Sequence, residues 1–338
     1  KIFSFNDYLS KCILIISLSL IVQSFLVIDF NFQSKVKIKY SCIARVCGLF
    51  FSLIVKLLFL YFKFPLIYFV ASFLLEHIFI SVFLSIVNVQ TLNDRFIRFF
   101  DFNLIKPLLK SAFPLVLTSL GYSFYLNIDK LMIQYFLNSQ QLGMYSAAVK
   151  LYECWVFFPP LLCISLFPLL VQYKKEDPAK YDTVLCCLYS IFFWLNLAVA
   201  LISTVFHDSI VRIVFGPSFL EAANPFVFLI WTSIFTGMGT LNARYFTIEK
   251  SEKKLLWRLF FAVVLNCILN CFFIPFYGII GASMATLICL FISHFLFDYF
   301  DKDLVALRKL KINGIFNPFI FNIQIYKGLV KLVFRKRS

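Results

Sequence analysis

The chain has 338 residues, of which 61% are hydrophobic, 20% aromatic and only 14% charged, and its mean hydropathy is +0.88. A soluble domain carries about 45–50% apolar and about 25% charged residues, so this composition excludes a water-soluble globular protein. The net charge of +15 does not make it a nucleic-acid binder, because in a membrane chain the placing of the 32 Lys and Arg is what carries meaning.

A helix needs about 20 mostly apolar residues to cross a bilayer. Nine stretches meet or approach this, at 12–28, 44–62, 65–87, 113–137, 144–171, 184–206, 226–248, 259–276 and 281–300. The expected fold is therefore all-α, an integral-membrane helical bundle. With nine crossings, alternate connections share a side. Twenty-four of the Lys and Arg fall on one side, in the groups Lys35 to Arg45, Arg95 to Lys110, Lys174 to Lys180, Lys250 to Arg258 and the tail after Phe300. Only Lys1, Lys11, Lys63 and Arg212 fall on the other, and Lys56, Lys130, Lys150 and Arg244 lie within spans. Positive charge collects on the cytoplasmic side, so the basic loops and the C-terminus are expected there.

The first three spans follow a layout of helix, basic loop, helix, short turn and helix, and the last three repeat it. The basic stretch 88–112 separates the third span from the six that follow. This layout divides the chain into a partial N-terminal lobe at 1–87, a linker at 88–112, a six-helix lobe at 113–300 and a basic tail at 301–338. It fits two parallel halves related by an axis along the membrane normal, with three helices missing from the first. The chain begins at Lys1 with no signal-peptide layout and reads as truncated at its N-terminus.

The cysteines Cys163, Cys186, Cys187, Cys267, Cys271 and Cys289 sit in apolar runs and read as small packing residues. His77, His207 and His294 are isolated, so no metal site is expected. No GxxxxGK loop is present. No cofactor is inferred.

The stretch from Pro114 to Leu170 carries a family likeness in its IDKLMIQYFL span (Ile128 to Leu137), its LGMYSAAVKLYE segment (Leu142 to Glu153) and its proline-bearing run to LFP (Leu166 to Pro168). The FGPSFLEA loop, Phe215 to Ala222, and the stretch DFNFQSKVKIKYSCIARVCGLFFSLIVKLLFL extend it. Together they resemble the Wzx-type O-antigen and capsule oligosaccharide flippases, the polysaccharide-biosynthesis branch of the multidrug/oligosaccharidyl-lipid/polysaccharide exporter superfamily. The resemblance implies a twelve-helix, two-lobe transporter of which nine helices are present here. It also implies a lipid-linked oligosaccharide as substrate, membrane lipid and other polysaccharide-assembly proteins as partners, and the bacterial inner membrane as location.

Charges within spans point to a site, because each costs roughly 2.5–3.5 kcal/mol at the bilayer centre on insertion scales. Asp129 and Lys130 point about 100° apart on one helix. They are read either as cavity wall, with Lys130 attracting pyrophosphate and Asp129 exchanging a proton or cation, or as ion pairs with a neighbouring helix. Lys150 and Glu153 share a face at i, i+3, as a salt bridge or as cavity wall. Lys56 is mid-span and is expected to face a cavity. Arg244, near the cytoplasmic end, either snorkels or forks onto phosphate. Glu76 with His77 is a proton relay or a plain interhelical hydrogen bond. Asp298, at an inner helix end, is expected to be solvated. Pro159 and Pro160 predict a kink, and the tail after Phe300 an amphipathic segment on the inner leaflet.

These features favour a secondary transporter that moves lipid-linked repeat units by alternating access, not an enzyme. The alternatives are a drug/ion exporter of the same superfamily, which calls for more acid than base in the cavity, and a membrane glycan polymerase. The polymerase needs a sizeable outer loop, and the longest outer connection, 207–225, is short.

Overall fold

A computed structural model of the chain describes residues 7–34, 37–92, 113, 116, 123, 124 and 126–316. Every regular element among them is helical, as the composition required. Among the described residues seven stretches are long and apolar enough to cross a membrane: Ser10–Phe32, Lys39–Tyr61, Leu66–Thr91, Ser139–Glu176, Pro178–Phe215, Pro217–Ile248 and Lys253–Tyr299. The expected span at 113–137 lies only partly within the described residues, and the expected linker beyond 92 and tail beyond 316 lie outside them. The chain divides into two compact units, Lys1–Leu109 and Lys110–Ser338.

In the first unit α1 (Asp7–Gln23) runs through a 3-10 turn, Ser24–Leu26, into α2 (Val27–Ser34), followed by α3 (Ile38–Tyr61) and α4 (Leu66–Leu92). Lipid is as apolar as leucine, so helices in a bilayer are held by close packing and interhelical hydrogen bonds. Here Ile28, Phe32, Ala44, Ile80 and Leu84 form the packed centre. Arg45 pairs with buried Asp29, and Asn31 donates to Asn88 at 3.2 Å. At the opposite end Phe59, Phe64, Tyr68 and Phe69 cluster around the α3–α4 turn, in the manner of an interfacial aromatic belt.

In the second unit residues 126–136 belong to α5. They are followed by α6 (Ser139–Val156), α7 (Phe158–Glu176), α8 (Pro178–Phe215), α9 (Ala223–Ile248), α10 (Glu252–His294) and α11 (Val305–Phe316). Local chemistry sets the boundaries. Asn138 caps α6 by accepting from the Gln141 amide at 2.9 Å, and Asp177 caps α8 through the Lys180 amide at 3.1 Å, with Pro178 in the first helical turn. Gly216, at φ 86°, ends α8. The connection expected as a loop at 207–225 is therefore mostly helix, since α8 runs on to Phe215 and only the 3-10 turn Pro217–Ala222 remains.

The longest element, α10, is a hairpin. Gly278 has φ 59° and ψ −139°, which breaks the helix. Around that point Cys289 meets Ala262, and Arg258 meets Asp298, so the two limbs run antiparallel. Gly281 lets them close, because a Cβ there would lie 2.1 Å from the Phe273 carbonyl oxygen. The hairpin covers the expected span 259–276 and all but the last six residues of 281–300.

On the basic side, ion pairs tie the elements together. Lys174 meets Glu249 at 2.5 Å, and Lys254 meets Asp301 and Asp303, each at 2.8 Å. The Lys254 ammonium holds the Asp301 carboxyl below its ordinary range. Asp298 corrects the sequence expectation. It is not solvated but 1% exposed, between Arg258 at 2.5 Å and Lys311 of α11. Its burial follows from the docking of α11 on α8, where Trp194 donates to the Ile315 carbonyl at 3.2 Å. Thus the described part of the tail packs on protein.

Candidate functional site

The second unit encloses a carboxylate in neutral donors. Asp129, on α5, accepts from Tyr145 of α6 at 2.9 Å, from Asn270 on the first limb of α10 at 2.7 Å, and from Thr286 on the second limb at 2.7 Å. Asn270 also donates to Asn266 at 2.9 Å. The hairpin is what brings these groups together, setting Thr286 opposite the Asn266–Asn270 pair. Among the described residues no cation pairs with Asp129. The Asn270 Oδ1 atom is buried without a partner, a costly condition in a site this dry. Asp129, Asn266, Asn270, Thr286 and Tyr145 form one hydrogen-bonded cluster of side-chain oxygens and amides, whose oxygens suit a proton or a small hard cation.

Asp129 and Lys130 do not act together. Lys130 turns to the other face of α5, where its ammonium donates to Asn127 at 3.2 Å. Asn127, Lys130 and Gln134 are spaced i, i+3, i+7 and form one polar face, while buried Ile133 points to the core. On α6, Lys150 and Glu153 pair at 2.6 Å, with 68% and 47% of their side chains exposed. An exposed ion pair within an otherwise apolar span is expensive against lipid, and it marks a face turned to water.

Arg244, on α9, is half-buried with its guanidinium 5.3 Å from the centre of the Phe167 ring. Its Nε is buried and unbonded. In the first unit Lys56 is half-buried, its ammonium 4.5 Å from the centre of the Phe73 ring. His77 shares a hydrogen bond of 3.2 Å with Gln23. Glu76 is half-buried and, among the described residues, makes no hydrogen bond or ion pair. Glu76 and His77 therefore do not assemble as a relay.

Sequence reasoning found Asp129 and missed its partners. The available signal was Asn266 and Asn270, two amides at i, i+4 on one face of an apolar span, where an unpartnered amide is costly. Tyr145 and Thr286 carry no such mark.

Comparison with known proteins gives a context for these sites. The chain is 25% identical over 214 residues to the probable low-salt glycan biosynthesis flippase Agl15 of Haloferax volcanii, covering 61% of this chain and 45% of that protein. It is 27% identical over 197 residues to the uncharacterized membrane protein MJ1375 of Methanocaldococcus jannaschii, covering 56% and 44% respectively. The chain thus spans about half the length of the curated relatives it matches. Among solved structures, the lipid II flippase MurJ in an inward closed conformation has a similar fold, with a TM-score of 0.65 at 16% identity over 95% of this chain and 69% of that one. A family model described as polysaccharide biosynthesis protein matches residues 2–224. On that match, which takes in well over half of its length, this multi-pass membrane chain belongs to the polysaccharide biosynthesis protein family.

Proposed function

We propose that the chain is a flippase for polyprenyl-pyrophosphate-linked oligosaccharide repeat units of the O-antigen or capsule type. It would carry them across the bacterial inner membrane by alternating access, with the basic loops and the C-terminus cytoplasmic. The observation that carries this reading is the polar face of the second unit, with Lys130 on α5 paired to no carboxylate among the described residues and the exposed Lys150–Glu153 pair on α6. A cation and an ion pair set inside apolar spans suit an anionic headgroup followed by a hydroxyl-rich glycan. The family match, the glycan-flippase relative and the MurJ-like fold support it. In this reading Lys56, within a span of the first unit, is a further substrate-binding candidate. Asp129 is the coupling carboxylate, exchanging a proton or a monovalent cation as the unit changes state, and Glu76 is a second candidate for that role. Membrane lipid is a partner throughout, and other polysaccharide-assembly proteins supply and receive the glycan.

A drug/ion exporter would use the same Asp129 chemistry, but Lys130, which no carboxylate neutralises among the described residues, repels the compact cations such exporters carry. A polymerase is disfavoured by the outer connection after α8, a six-residue 3-10 turn with no room for a catalytic constellation. The test is deletion of the gene in a host with no other flippase. Lipid-linked repeat units should accumulate on the inner leaflet with their synthesis intact, and undiminished surface polymer would sink the proposal.

A further inference from the structure

On α9 the residues Thr232, Thr236, Thr240 and Arg244 recur at every fourth position. A step of four turns the helix by 400°, so the row drifts only about 40° per step and stays on one side. Thr232 is buried, whereas Thr236, Thr240 and Arg244 are half-buried. Thr236 donates to the Thr232 carbonyl at 3.0 Å and Thr240 to the Thr236 carbonyl at 2.9 Å. This commits their protons and leaves hydroxyl lone pairs to accept. The Thr236 hydroxyl also meets the Tyr152 hydroxyl of α6 at 2.9 Å. Within one turn of Tyr152 on α6 lies the exposed Lys150–Glu153 pair. A polar track therefore runs from α6 down α9 towards the basic side.

Arg244 closes that track. It lies four residues before the end of α9 at Ile248, about 6 Å along the axis, which is headgroup depth rather than bilayer centre. On the basic side Lys174 is neutralised by Glu249 and Lys254 by Asp301 and Asp303, and Lys175, Lys180, Lys250 and Lys253 are exposed, whereas Arg244 is half-buried. Among the described residues no carboxylate pairs with Arg244, and Nε is sealed in without a partner. A snorkelling arginine extends its head into water, whereas this guanidinium is drawn back over Phe167. The planar fork is thus held in place and electrically uncompensated, a condition that favours phosphate oxygens.

We infer that Arg244 is the docking residue for the pyrophosphate of the lipid carrier on the cytoplasmic side, with Thr240, Thr236 and Tyr152 as the first groups to receive the glycan. The inference deepens the flippase reading and rests on it, because only a lipid-borne anion with sugars attached uses both ends of the track. Headgroup depth sets the phosphate at Arg244, and the hydroxyl row leads from there into the unit.

The test uses the 338-residue chain in detergent micelles, with three probes: geranylgeranyl pyrophosphate, the same lipid bearing a chitobiose unit, and inorganic pyrophosphate. Arg244→Gln should weaken binding of both lipids by about tenfold or more, the scale of a charge-assisted hydrogen bond. Thr236→Val with Thr240→Val should weaken the chitobiose lipid more than the bare one. If the parent binds and Arg244→Gln binds equally well, the inference is overturned while the flippase reading stands. A parent that binds neither lipid defeats the flippase reading itself. Inorganic pyrophosphate bound as tightly as the lipids would make the site one for a free anion and overturn the assignment to a lipid. Phe167→Leu, which removes the ring and keeps the charge, provides a second variant should Arg244→Gln fail to fold. It should weaken both lipids in the same direction, and an unchanged affinity counts against the site.

Discussion

Asp129 and Asp298 are both enclosed carboxylates, and their surroundings assign them different work. Asp298 sits between two cations, so Asp298→Asn leaves Arg258 and Lys311 buried without compensation. A loss of about 3–5 kcal/mol is expected, read as a lower thermal midpoint in detergent. Asp129 has only neutral donors. Asp129→Asn keeps the shape of the cluster and removes its charge, so export should fall sharply while the thermal midpoint moves little. A variant that exports normally would remove Asp129 from the coupling role. Lys311 adds a pH dependence. Burial pulls its ammonium down to about 8, against the opposing pull of Asp298. Between about 8 and the unfolded value near 10.4 the unfolded chain holds a proton that the folded chain has lost, so Lys311 destabilises less as pH rises. Thermal midpoints of the parent and of Lys311→Met, compared at pH 7 and pH 9.5, should show the parent gaining on the variant. These carboxylates also mark where sequence reading stops. Asp129 stood out because a charge within a span is costly, but its partners Asn270 and Thr286 lie 141 and 157 residues away. Asp298 was misjudged because its partners lie 40 residues before and 13 after it, on elements whose docking local hydropathy does not reveal.

At the scale of elements, two breaks have covalent causes. Pro159 and Pro160 lack the N–H groups that the Trp155 and Val156 carbonyls would use, so the helix stops at Val156 and restarts at Phe158. Just above the break, Trp155 is pinned by donating to Asn196 at 2.8 Å. Any bending is therefore concentrated at Phe157. Replacing both prolines by alanine should restore the continuous helix, raise the thermal midpoint and slow export; unchanged export would show the break to be a plain kink. The kink was legible because proline acts locally. The docking of α11 was not, since it depends on Gly314. A Cβ there would lie 2.7 Å from the Cys186 carbonyl oxygen and 3.1 Å from the Ser190 amide nitrogen. Gly314→Val should pry α11 from α8, seen as faster proteolysis after residue 300. Neither contact atom belongs to a side chain, so no pattern of residue types announces the approach.

For the whole molecule, the asymmetry of Lys and Arg is the most direct statement about orientation. A green fluorescent protein fused after Ser338 should be fluorescent, as expected of a cytoplasmic C-terminus, and a dark fusion of normal abundance would reverse the assignment. The all-helical class was legible from composition, because only helices and closed barrels satisfy backbone groups in lipid and the apolar runs are of helical length. Element lengths were less so. Hydropathy marks the part of a helix in hydrocarbon, whereas α8 continues for 38 residues, about 57 Å. The two units also differ in what covers them. In the second unit half or more of the most apolar window is buried within the protein in α8 and α9 and 22% in the spans Ser139–Glu176 and Lys253–Tyr299, whereas all three spans of the first unit have only 17–22% buried. Those three helices leave most of their apolar surface uncovered by the described residues. Extraction into a short-chain detergent should therefore loosen the first unit before the second, and the choice of solubilising agent becomes a choice about which half of the protein keeps its shape.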